Sequence, residues 1–87
     1  EPVVAVAEAL ADSVVLVTVP DQGHGSGIVF DDEGRIVTNA HVVDAALEVV
    51  VTLPNGRKIS AEVIGVDVRR DVAVLQLVEE QESLVPA

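Results

Sequence analysis

Between Ala46 and Asp67 the chain reads ALEVVVTL, then PNG, then RKISAEVIGVD. Asn-Gly set between two apolar runs is the strongest short-range signal for a β-hairpin, because the tight reversal needs positive φ, which glycine and asparagine adopt at low cost. The chain therefore doubles back on itself within a few residues. The same grammar recurs along its length. Valine dominates the apolar residues, with 21 Val against 7 Leu and 4 Ile. Branching at Cβ costs rotamer freedom in a helix and packs well on a pleated surface.

The spacing of turn residues predicts six short strands. VVLVTVP (14–20) is a strand closed by Pro20, and DQGHG after it reads as a loop. SGIVF (26–30) is a second strand, DDEG (31–34) a hairpin turn, and Arg35 to Thr38 the returning strand. Residues 46–53 and 57–67 flank Pro54-Asn55-Gly56, and DVAVLQLV (71–78) is the last strand. Its alternate faces read Ala73-Leu75-Leu77 and Val72-Val74-Val78, both apolar although Gln76 interrupts the second, which suggests burial on both sides. Val4, Ala7, Leu10 and Ala11 recur at helical spacing, so residues 3–11 are expected to form one short helix. Closely spaced strands of this kind imply an all-β barrel or sandwich. At 87 residues the chain is one domain. It begins at Glu1 rather than Met, as a processed or excised segment would, and after Val78 the text EEQESLVPA offers no turn, cap or closing strand.

Charge and composition exclude several functions. Fifteen acidic and five basic residues give a net charge of −10. A nucleic acid or an anionic membrane would repel such a chain. Phe30 is the sole aromatic residue, so a base-stacking surface has nothing to be built from. Without cysteine there are no disulfides and no thiolate chemistry. No apolar run approaches the roughly 18 residues of a membrane span.

The candidate chemistry centres on RIVTNAHVV, Arg35 to Val43. His41 stands just past a strand exit, at the opening of a short apolar turn, Val42-Val43. Neutral imidazole is the general base suited to neutral pH, and it works best with a carboxylate on its other nitrogen. Asp31, Asp32 and Glu33 sit in a turn and read as solvated; Asp44 reads as a local cap. Asp71 heads the most apolar strand, where burial is expected, and a buried carboxylate is costly unless paired. An imidazole N–H from His41 would meet that need, and so would Arg69, Arg70 or a turn N–H. A metal site at His24 and His41 lacks any ligand spacing of the H-E-x-x-H kind, so no metal and no cofactor are expected.

GSGIVFDDEGRIVTNAHVV followed by VTLPNGRKISAEVIGVDVRRDVAVLQL resembles the first half of an HtrA/Deg-type serine protease. That family has the chymotrypsin-like fold of two six-stranded antiparallel β-barrels. The resemblance covers nearly the whole chain, 1–87, as the N-terminal barrel, with the second barrel and any PDZ domain absent. It implies that His41 is the general base and Asp71 its orienting acid. The family's nucleophile lies in a Gly-x-Ser-Gly-Gly stretch of the second barrel, and no such stretch occurs here. Of the four serines, Ser13, Ser26, Ser60 and Ser83, only Ser26 has flanking glycines. It precedes the histidine and lacks nucleophile-elbow spacing, so it is expected to be structural. The expectation is thus half of an endopeptidase of unfolded or misfolded proteins, inactive alone. Its partners would be a complementary C-terminal barrel, peptide substrate and further copies of itself, in an extracytoplasmic compartment such as the periplasm. The alternative is a non-catalytic barrel module that self-associates.

Overall fold

A computed structural model describes residues 13–79. The elements in chain order are β1 (Val14–Val19), β2 (Gly23–Val29), β3 (Arg35–Thr38), the one-turn helix α1 (Ala40–Val43), β4 (Glu48–Thr52), β5 (Lys58–Asp67) and β6 (Val72–Leu77). The six strands form a closed barrel in the order β1-β2-β3-β6-β5-β4, with every pair antiparallel. The barrel is two three-stranded meanders, β1-β2-β3 and β4-β5-β6. They are joined at two seams, β1 with β4 and β3 with β6. The expected all-β barrel is what forms; the helix expected at 3–11 lies outside the described residues.

Alternation along each strand fills the interior. Val15, Val17 and Val19 of β1 face inward, as do Val49 and Val51 of β4, Ile59 and Ala61 of β5, and Ala73, Leu75 and Leu77 of β6. The register ties these into rings: Val17 lies opposite Val51, Val51 opposite Ile59, and Leu75 opposite Ile36. A small barrel leaves room for little more than branched aliphatic side chains. Phe30 accordingly stays outside, 62% exposed.

Gly27 belongs to this inner face. A Cβ there would stand 2.9 Å from Ile36 Cγ2 and 3.1 Å from Val17 Cγ2, so the barrel closes around an absent side chain. The buried hydroxyl of Thr38 is satisfied by donating to the Ser26 carbonyl at 2.7 Å, which pins the end of β3 to β2. In β5, register shifts between Val63 and Gly65, a bulge that turns Ile64 outward.

Three expectations need correction. The segment Gly23–Gly25 is not loop but the start of β2, because Val19, Thr18 and Val17 pair with Gly23, His24 and Gly25. The tightness of the β1–β2 reversal comes from Asp21 and Gly23, both at positive φ. Val42-Val43 is not a bare turn but part of α1. The last strand is buried on one face only: Ala73, Leu75 and Leu77 point in, while Val72 and Val78 are exposed. A barrel has a single interior, so its second apolar face must be outside.

Replacing Gly27 with Val should destabilise the barrel by about 1–3 kcal/mol through overpacking, and Leu75→Ala by about 2–5 kcal/mol through the cavity it leaves. Urea unfolding midpoints at unchanged slope would measure both.

Candidate active site

The β3–β6 seam builds the site. Thr38, the last residue of β3, pairs with Ala73 near the start of β6. Antiparallel pairing puts the exit of one strand beside the entrance of the other. His41 lies three residues past Thr38 and Asp71 two before Ala73, so residues 30 apart in sequence meet at one barrel end.

α1 presents the imidazole. Ala40 and Val43 are buried under the helix, and His41 is left on its outer side. Val42 is held by a gap in β2: a Cβ at Gly25 would lie 2.6 Å from Val42 Cγ2. The helix stops after one turn because Asp44 adopts φ 49° while its N–H donates to the Ala40 carbonyl at 2.9 Å.

Asp71 makes two contacts with His41. Its Oδ1 accepts from the His41 backbone N–H at 2.8 Å, and its Oδ2 lies 2.7 Å from His41 Nδ1. The backbone N–H bond first, and the imidazole bond second, hold the Asp71 carboxyl below the usual carboxylate range. With the carboxylate on Nδ1, that nitrogen carries the proton and Nε2 keeps its lone pair. Such an arrangement can take up a proton at Nε2 and stabilise the imidazolium that results. One alternative partner of Asp71, Arg70, is engaged by Asp67. Its Oδ1 accepts the Arg70 N–H at 3.1 Å and its Oδ2 the Arg70 guanidinium at 2.8 Å. Arg70 is thereby turned away from Asp71.

One expectation fails. Asp71 is not buried: its side chain is 44% exposed and that of His41 72%. Asp71 precedes β6 in the turn rather than sitting within the strand. Its pairing with His41 is therefore held by geometry at a surface, not enforced by desolvation.

Beside the pair runs a shallow groove of about 330 Å³ along the outer face of β1, β2, β3 and β6, walled by Val14, Ile28, Val37 and Val72 and reaching Asn39 and Asp71. Ser26 lies on this groove, exposed, with its carbonyl engaged by Thr38. His24 is exposed on β2 opposite Thr18. Among the described residues no three His, Cys, Asp or Glu side chains converge as a metal site would need. Sequence reasoning missed the part played by Asp31. It accepts from the Glu33 and Arg35 N–H groups and binds the Arg35 guanidinium, so it organises the β2–β3 turn rather than being solvated. The signal was an Asp at the first turn position with Arg four residues on.

A closed antiparallel barrel with a His–Asp pair at one end is the first-barrel architecture of chymotrypsin-fold peptidases. The chain belongs to the trypsin-like peptidase family: residues 25–87 match the trypsin-like peptidase domain. Within it the relatives are of HtrA/Deg type. The chain is 50% identical over 64 residues to the "Putative serine protease HhoA" of Synechocystis sp., covering 74% of this chain and 16% of that protein. It is 46% identical over 63 residues to a "Probable periplasmic serine endoprotease DegP-like" of Halomonas elongata, covering 64% and 13%. It is 48% identical over 54 residues to the "Periplasmic serine endoprotease DegP" of Escherichia coli K12, covering 61% and 11%. The crystal structure of the serine endoprotease from Yersinia pestis superposes with a TM-score of 0.82 at 32% identity, covering 92% of this chain and 30% of that one. The chain thus spans less than a third of each.

Asp71 should titrate below the ordinary Asp value of about 3.9 in a carboxyl-carbon NMR titration. Its folded value is lowered, so the stability it contributes is present above the unfolded value and is lost as pH falls through the folded one. Asp67, lowered by the Arg70 side chain and then by its N–H, adds to the same acid limb. Acid unfolding should accordingly begin below about pH 4 and weaken in Asp71→Asn. A titration at or above the ordinary value would contradict the double contact.

Proposed function

We propose that this chain is the N-terminal barrel of an HtrA-type serine endopeptidase of unfolded or misfolded proteins. In this reading it carries the general base and the orienting acid. The nucleophilic serine, the oxyanion donors and the pocket for the residue before the scissile bond come from a second barrel beyond these 87 residues. The observation that carries the reading is the two-point contact of Asp71 with both the backbone and the ring of His41.

His41 Nε2 takes the serine proton as the hydroxyl attacks the peptide carbonyl, then delivers it to the departing amine. Water repeats the cycle to release the acyl group. Asp71 fixes the tautomer and stabilises the transient imidazolium without itself being protonated. No metal, nucleotide or cofactor is needed. The complementary barrel would cover the outer apolar face, where Val14, Leu16, Ile28 and Val72 are exposed. A face of this kind on a soluble domain is ordinarily a partner's seat. Cover there would also shield Asp71 and strengthen its bond to the imidazole. Until it is supplied the chain is inactive, since the members of such a triad act as a unit. The relatives named periplasmic support an extracytoplasmic home in protein quality control.

The test is hydrolysis of an unfolded protein by the longer polypeptide carrying the downstream barrel. His41→Ala should lower kcat by about 10⁶-fold and Asp71→Asn by about 10⁴-fold, while the 87-residue chain cleaves nothing. Undiminished cleavage by His41→Ala would sink the assignment.

The same exposed apolar residues favour a second reading, a non-catalytic barrel that covers this face with another copy of itself. Sedimentation equilibrium followed by refractive index, since the chain has no Trp or Tyr, should then show dimers or trimers. A monomer across the concentration range excludes it.

A further inference from the structure

We propose that Asn39 is a positioning residue for the His41–Asp71 pair, its side-chain amide clamping the Asp71 backbone so that the carboxylate faces α1. Asn39 occupies the N-cap of α1, with extended backbone at φ −87° and ψ 143°. Asparagine there ordinarily turns its own oxygen onto the first free N–H groups of its helix. Asn39 makes no such bond. Its Nδ2 instead crosses the seam and donates to the Asp71 carbonyl at 3.2 Å. The vacant capping role is filled from the other side, because Asp71 Oδ1 accepts the N–H of His41, the second residue of the helix. The two residues have exchanged tasks: the local cap holds the distant acid, and the distant acid caps the local helix.

The exchange matters because Asp71 is held in an unfavourable conformation. Its φ is 57°, a left-handed geometry that L side chains seldom adopt without support from their surroundings. Asp71 lies just outside the β6 ladder, which begins at Val72, so the strand pairing alone does not fix it. Within its own turn the Asp71 N–H reaches Val68 at 3.3 Å, a long bond. Asn39 adds the hold from α1's side. Three oxygens of Asp71 (O, Oδ1 and Oδ2) are thereby tied to Asn39 and His41. Fixing carbonyl and carboxylate together fixes the direction of the side chain. An exposed hydrogen bond with no such clamp exchanges with water and contributes little, and this one is exposed on both sides. The motif Thr38-Asn39-Ala40-His41 then has a part for each polar residue. Thr38 anchors β3 to β2, Asn39 anchors Asp71, and His41 receives it.

The catalytic meaning of this clamp rests on the reading of His41 and Asp71 as base and orienting acid, whereas the clamp itself is tested without proteolysis. In the 87-residue chain, a through-hydrogen-bond scalar coupling between the Asn39 side-chain nitrogen and the Asp71 carbonyl carbon should be detectable; its absence under slow-exchange conditions overturns the proposal, whatever the variants do. Asn39→Leu keeps the size of the side chain and removes the donor. Long-range ¹H–¹⁵N spectra should show His41 as the single Nδ1-protonated tautomer in the parent chain and as a mixture in Asn39→Leu and Asn39→Ala, with barrel methyl shifts unchanged. Retention of the single tautomer in both variants overturns it. A protein that fails the hydrolysis test but shows the coupling and the tautomer change keeps the clamp and loses only the proposed function.

Discussion

Pairing of β3 with β6 joins the two meanders into a closed ring and sets the end of one strand against the start of the other. Thr38 opposite Ala73 is the register on which both results depend. A slip of β3 by one residue would turn Ile36 out of the core and carry His41 away from Asp71, since side chains alternate with a period of two. The inner face enforces this register. Ile36 and Leu75 are fully buried opposite each other, and Gly27 leaves the space that Ile36 enters. The hydrophobic packing that stabilises the barrel is thus also what aligns the site.

The site itself depends on polar contacts that water can reach. Desolvation, which would strengthen the His41–Asp71 bond, is slight on this barrel. Direction is supplied instead by a one-turn helix seated on Ala40 and Val43 and by a turn that Asp67 locks through Arg70. Gly25 contributes at a distance, because the room it leaves for Val42 sets how closely α1 lies on β2. A groove that reaches the back of Asp71, bordered by exposed valines, gives the same end of the barrel an apolar approach.

Much of the fold was legible because turns and alternation are local. Asn55-Gly56 and the Asp31–Gly34 run marked two reversals, and valine alternation marked the strands between. The β2 start was misread because Gly23-His24-Gly25 has the composition of a loop; only pairing with β1 recruits it. The second apolar face of β6 was misread because periodicity reports that a face is apolar and not which side of the sheet is enclosed. Asp71 does contact His41, yet its exposure was not foreseen, since the apolar strand behind it lends nothing to a residue in the preceding turn. Asn39 carried no signal of its own beyond lying in the same motif.

Most of the strands, the hairpins and the family resemblance of the His and Asp motifs were readable in advance, because each is written in residues close together along the chain. Two contacts are settled by the assembled barrel alone: Asp71 caps the helix of His41, and Asn39 reaches across to Asp71. Those choices turn on distances between segments some 30 residues apart. They are set by barrel closure, which fixes where strand ends meet, and no local pattern records that.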